Sequence, residues 1–445
     1  MERLRINGFV ACATLALLAF TPSQEPRPLD LGTPEQTARL GLVSDGTGTS
    51  LVRISPVSLK RSGRAFALNG FGGPWVVAPD GRLLAVGVRQ RSEASHETLR
   101  FYTVAGPHRS GKGVPLGGVA AALAWTRPDR ILAYVNVCCP NPEGAGTVLT
   151  IDPRARRVVA RAEVDGSVLH IARGTDSLVL LVGEANRIGS SRLVVVDSEG
   201  AGRSVDLEQI HAGMTWPEQG GGAPIGTRLV PGLAVDAPGQ RALVIAPDGL
   251  VAAVDLGSLA VSYHRLAAGP SPLERIAGWL TPSAEAKGVN GPALVARWLR
   301  DDLVAVAGTD ESAVQEENAT LRVRAQPLGL RIVDTRDWSV RTLDTDADSF
   351  TVADGLLLAT GSSWSSSPQS QSGMGVAAYG PDRNKRFQLL PGRPVWVGFV
   401  YRGRAFVSVA DESSLTVVDL GSGRIVGSRR ADAPWPLLGD SFGFF

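Results

Sequence analysis

Four acidic residues, Asp310, Glu311, Glu316 and Glu317, crowd into one short stretch of the chain. Carboxylate oxygens this close together are what a hard cation such as calcium recruits. Their spacing matches no dedicated calcium loop, so the plainer reading is a solvated acidic loop with no bound cofactor. Trp364 stands in Ser362–Gly373, a segment rich in serine and glutamine. An indole among hydroxyls and carboxamides suits a carbohydrate or peptide contact, and equally a packed ring in a polar loop. Trp216, beside Gly220-Gly221-Gly222, can cover the mouth of a channel. Cys138 and Cys139 are adjacent and flanked by Asn136, Pro140 and Pro142. Their Cα atoms lie about 3.8 Å apart across a trans peptide, closer than ordinary disulfides prefer. Outside the cytoplasm such a pair forms a strained vicinal disulfide, stays as two thiols, or takes a metal or an intermolecular partner.

Other chemistry is absent. The histidines His96, His108, His170, His211 and His264 are too dispersed to share a metal by local spacing. There is no Gly-x-Ser-x-Gly elbow and no phosphate-binding glycine loop.

The elements that must position these residues come from a repeat. An apolar run ends in an aspartate, a short turn follows, and a β-branched residue stands six positions after the aspartate. The phrase occurs at Asp152 to Val158, Asp255 to Val261, Asp334 to Val340 and Asp419 to Ile425, with a looser copy from Asp197 to Val205. Each reads as a strand, an Asx-turn and a returning strand. One role for five aspartates makes them turn formers, not catalysts. A second phrase is Trp75–Val86, two apolar runs around Pro79-Asp80-Gly81. Its counterparts are Ala122–Val135, Leu233–Ile245, Leu294–Val306, Phe350–Ala359 and Val395–Val409. Asp-Gly between apolar runs is a strong hairpin signal. Two hairpins per unit give strands a, b, c and d, in units beginning near residues 74, 121, 168, 230, 293, 349 and 395.

Composition agrees. Among 445 residues, 52 Gly and 29 Pro suit many short strands joined by turns. A formal net charge of +2 gives no broad attraction to nucleic acid or anionic membrane. Residues 1–23 read as a signal peptide, with Arg3 and Arg5 ahead of an apolar run to Phe20 that is short for a membrane span; an uncleaved anchor is the other outcome. Residues 24–38 read as a linker, and 39–445 as the repeat domain.

Four-stranded units at this period resemble the secreted bacterial β-propeller families with YVTN or WD40-like repeats. The resemblance rests on Ala78–Arg82 and on the aspartate hairpins, and covers most of the chain after residue 38. It implies an all-β fold: one propeller of seven or eight four-stranded blades. The apolar run Pro434–Phe442 is expected to close the ring as inner strand to the N-terminal strands Leu40–Ser44, Leu51–Ile54 and Ala65–Leu68.

In such a ring the b–c and d–a connections share one face. The long connections, Arg89–Glu97, Val137–Gly146, Gly183–Ser190, Gly308–Gln326, Gly361–Gly373, His211–Gly226 and Ala267–Gly291, all fall there. That face is the expected working surface. Trp75, Trp125, Trp298, Trp396 and Trp435 are expected to pack between units. The functional expectation is an extracytoplasmic propeller that binds a small ligand or an envelope or extracellular protein, with no nucleic-acid partner. The alternative is a lactonase-like or metal-dependent hydrolase, which needs Glu93, Glu184, Asp310 and Glu316 to converge at the channel.

Overall fold

The computed structural model describes residues 39–45, 48–54, 60–90, 96–136, 145–215, 226–236, 238–267, 290–300, 302–315, 321–366, 369–410, 412, 414–430 and 437–438. Among these residues there is no helix, and hence none able to cross a membrane. The strands form successive antiparallel meanders, each a pair of hairpins. Phe71–Val77, Leu83–Arg89, Glu97–Thr103 and Val114–Pro115 make one. Val119–Arg127, Arg130–Asn136, Gly146–Asp152 and Arg157–Val164 make the next. The pattern runs on to the last, Val395–Tyr401, Arg404–Val409, Ser414–Asp419 and Arg424–Arg430. This is a β-propeller.

The core lies between the meanders. Strand residues alternate between two faces, and here each face meets a neighbour. In the second strand of the second meander, Ile131 and Ala133 pack toward Val76, Leu99 and Phe101 of the meander before it. The intervening Leu132 and Tyr134 pack toward Leu178, Leu180 and Val182 of the one after. A sheet apolar on both faces is stable only when sandwiched, so the repeat requires radial stacking.

The first and last described strands meet. Gly41 pairs with Leu437 and Leu40 with Leu438, adding a C-terminal strand to the sheet of Arg39–Asp45, Gly48–Ile54 and Arg61–Ala67. Val52 of this first sheet packs with Phe399, Tyr401 and Phe406 of the last.

The aspartates are turn formers. Asp152 Oδ1 accepts the N–H groups of Arg154 and Ala155, both at 2.8 Å. Asp255 and Asp419 each take the N–H and hydroxyl of the serine three residues on, Ser258 and Ser422. Asp197 caps Glu199 and Ala201, and Asp334 caps Arg336. The turn then passes through the left-handed region at Arg156, Gly200, Leu259, Trp338 and Gly423 (φ 56° to 86°). The backbone N–H bonds hold these carboxyls below their usual range at Asp152, Asp255 and Asp419, and the Arg336 side chain holds Asp334 near 2.

Several connections differ from the sequence expectation. Only residues 184–187 separate Ser177–Gly183 from Ile188–Asp197. Of Gly308–Gln326, residues 308–315 and 321–326 are not loop but belong to strands Leu303–Gln315 and Leu321–Pro327. Residues 361–366 and 369–373 likewise belong to Leu356–Ser366 and Gln369–Tyr379, and His211 to Gly202–Thr215. Polar residues form strands here because their neighbours fix them, not because an apolar pattern calls for it. Trp75 and Trp125 are buried between meanders as expected, whereas Trp396 is 48 % exposed. Trp435 lies outside the described residues.

Candidate functional site

The extended hairpins join into a platform that crosses meander boundaries. Leu303–Gln315 outruns its own meander and pairs with Leu321–Pro327, opposing Asp310 to Gln326, Glu311 to Ala325 and Ser312 to Arg324. Leu321–Pro327 then pairs with a strand of the following meander, Arg324 opposite Ser365 and Ala325 opposite Trp364. That strand pairs onward, Trp364 with Gln371 and Ser365 with Ser370.

The band also grows the other way. Gly291 opposes Glu311 and Pro292 opposes Asp310. Asn290 and Pro292 accept from Arg228 and Val230 N–H groups at 2.7 and 3.0 Å, a short parallel ladder between two inner-strand entries. Thr227–Leu229 in turn pairs with Gly213–Thr215. One hydrogen-bonded band therefore runs from Gly202–Thr215 to Gln369–Tyr379.

Directly opposed residues share a face of a sheet. Glu311, Ala325, Trp364 and Gln371 lie on one face; Asp310, Ser312, Arg324, Gln326, Ser365 and Ser370 lie on the other. On the first, Arg228 reaches Glu311 at 3.1 Å. Arg228 is 5 % exposed, and its Nε also donates to the Gly291 carbonyl at 3.4 Å. Gly291 has φ +118°, and a Cβ there would collide with the Arg228 carbonyl oxygen. Only glycine lets the two strands come this close. Ala325 is buried between Glu311 and Trp364, while the indole is 37 % exposed.

On the second face Asp310 is 8 % exposed. Its Oδ1 is buried with no hydrogen-bond partner among the described residues. Burial pushes its carboxyl up to about 7, against the pull of Arg228; Glu311 adds to the rise. Two further acids are buried in the same way, each at or beside the start of a strand. Glu97 Oε2 accepts the Ala120 N–H of the next meander at 3.2 Å, and burial raises it to about 7. Asp348 accepts the Ser362 N–H at 2.8 Å and stands near 6 for the same reason. His170 is buried, with the Leu294 and Pro231 backbone beside it, and burial pushes it down to about 4.

The structure therefore gathers three of the residues singled out in the sequence, Asp310, Glu311 and Trp364, into one sheet. They lie in strands, not in an acidic loop, and Asp310 points away from the other two. Trp216, Cys138, Cys139, Glu93, Glu316 and Glu317 lie outside the described residues. Glu184 is ion-paired with Arg187. Among the described residues no three His, Cys, Asp or Glu side chains stand close enough to hold a metal ion. Arg228 was missed from the sequence: nothing near it signals a partner more than eighty positions away.

Comparison with known proteins shows the fold. No family model matches the chain, and no curated protein does. Among solved structures, the dihydro-heme d1 dehydrogenase NirN in complex with DHE is similar at TM-score 0.54 and 13 % identity, over 93 % of this chain and 76 % of that one. AztD from Citrobacter koseri is similar at TM-score 0.48 and 11 % identity, over 91 % of this chain and 96 % of that one. The Cps50 (Swd1) β-propeller domain of Myceliophteria thermophila follows at TM-score 0.39 and 11 % identity, over 81 % and 87 %. At these identities the likeness carries architecture only.

Proposed function

We propose that the protein is an extracytoplasmic binding propeller of the YVTN/WD40-like kind, whose working face carries the b–c and d–a connections. Its ligand is a small molecule or an envelope or extracellular protein. The observation that supports this is the platform. Four strands extend past what their meanders need, then pair across a meander boundary through Arg324–Ser365 and Ala325–Trp364. Such a surface is pre-organised, which lowers the ordering cost of binding. The opposite turns, by contrast, are spent on capping their own backbone. The apolar segment after Arg3 and Arg5 supports export.

The test is a photo-crosslinking amino acid at Trp364 or Gln371 in the full chain, expressed in cells. Val159, 40 % exposed on an outer strand, is the control. Mass spectrometry of the purified protein should show a defined adduct from the platform positions alone. No adduct, or the same adducts from Val159, would sink the proposal.

A further inference from the structure

We infer that the outward face of the platform, over Asp310, binds a neutral saccharide chain; this rests on the platform being the working surface. Ser312, Arg324, Ser365 and Ser370 stand in one cross-strand row, each directly opposite the next. Asp310 and Gln326 form the adjoining row, and Ser363 and Ser372 oppose one another on the same face. Ser312, Arg324, Gln326, Ser370 and Ser372 are exposed, so the face looks to solvent.

A polar stripe alone would be an ordinary wet surface. Asp310 makes the difference. It is more than nine-tenths buried, faces the same side as Gln326 and Ser312, and leaves Oδ1 without a partner among the described residues. A buried carboxyl oxygen without a partner is costly and calls for a donor. The strand-to-strand step of about 4.8 Å and the same-face step of about 7 Å set hydroxyls and a carboxamide on a flat lattice. Hydroxyl and carboxamide groups both donate and accept, as vicinal sugar hydroxyls do.

Other ligands fit less well. Among the described residues a cation finds one carboxyl on this face, since Glu311 faces the other side and is held by Arg228. An anion meets Arg324 but also Asp310. A protein partner would want apolar or aromatic anchors, and the indole of Trp364 lies on the opposite face.

The experiment is saturation-transfer NMR on the full chain with maltohexaose, cellohexaose and chitohexaose, and polygalacturonate as the anionic counterpart. At least one neutral oligosaccharide should receive transfer, and Asp310→Leu and Ser370→Leu should each weaken its binding at least tenfold, with a melting temperature no lower than that of the parent protein. No transfer to any neutral oligosaccharide, transfer to polygalacturonate alone, or binding that survives both substitutions would overturn the inference. If the Trp364 crosslink still forms while no saccharide binds, the platform stands and only the saccharide falls. If neither is seen, both fall.

Discussion

The indole of Trp338 stacks on the imidazole of His264, ring centroids 4.0 Å apart and planes 15° from parallel. The contact crosses from one meander to the next, and Ala267 N–H donates to the Trp338 carbonyl at 3.0 Å alongside it. Trp338 has φ 60°, the left-handed position of an aspartate turn. The same position in an earlier turn is Arg156, whose guanidinium lies 3.6 Å over the Phe101 ring of the preceding meander. Non-glycine residues at this conformation cost about 1 kcal/mol. Here that strain places a side chain across the gap between meanders.

Trp338→Gly therefore sets two effects against each other. It removes the backbone strain and loses the stack together with its packing against the core cluster that includes Leu266 and Val333. We expect packing to win, with a net loss of about 1–2 kcal/mol. A double-mutant cycle with His264→Ala should give a coupling of about 0.5–1.5 kcal/mol in denaturant unfolding. Additivity of the two substitutions would show that the stack holds nothing.

The turn logic was legible because it is local. An aspartate that bonds N–H groups two to four residues on leaves its mark within one short window, and five copies make it unmistakable. The sandwiched strands were legible for a related reason: Ile131-Leu132-Ala133 is apolar at every position because both faces are covered. The platform was not. Ser362–Gly373 has no apolar alternation, and its strands exist because Ala325 and Arg324 of another meander pair with Trp364 and Ser365. Arg228 and Glu311 meet across Gly291, a contact no spacing rule reports. Trp396 illustrates the converse, an indole in the expected strand that is half exposed.

The buried acids predict an unusual pH dependence. Glu97 and Asp310 stand near 7 and Asp348 near 6, all above their unfolded values, so the folded state binds more protons. Their contribution is full below about pH 4 and is lost as pH rises through 6 to 7. His170, depressed to about 4, acts the other way, but only below about pH 6.5 where the unfolded residue takes up its proton. The turn aspartates, depressed, withdraw support only as pH falls below about 4. The melting temperature should thus be higher at pH 6.5 than at pH 8. The triple variant Glu97→Gln, Asp310→Asn, Asp348→Asn should flatten that slope; an unchanged slope would refute the assignment.

Gly291 should tolerate nothing larger. Its φ is +118° and a Cβ would strike the Arg228 carbonyl oxygen, which is backbone and cannot rotate away. Gly291→Ala must therefore separate the ladder between residues 226–230 and 290–294, costing roughly 3 kcal/mol or more if the whole ladder is lost. Hydrogen exchange should rise at Arg228, Val230 and Leu294, whose N–H groups donate across it. Protection unchanged at those amides would mean that the ladder is not the joint between the two inner-strand entries.

The Arg228–Glu311 pair should behave as a buried ion pair does, costly to break and cheap to replace. Arg228 is 5 % and Glu311 16 % exposed, so water does little to screen either. Arg228→Met leaves Glu311 without its cation and removes the charge that offsets part of the rise at Asp310. We expect a loss of about 3 kcal/mol. The double variant Arg228→Met, Glu311→Leu should recover most of it, because two apolar side chains need no mutual compensation. Equilibrium unfolding in urea compares the three proteins directly. If the double variant is as unstable as Arg228→Met alone, the arginine supports the platform by packing and not by its charge.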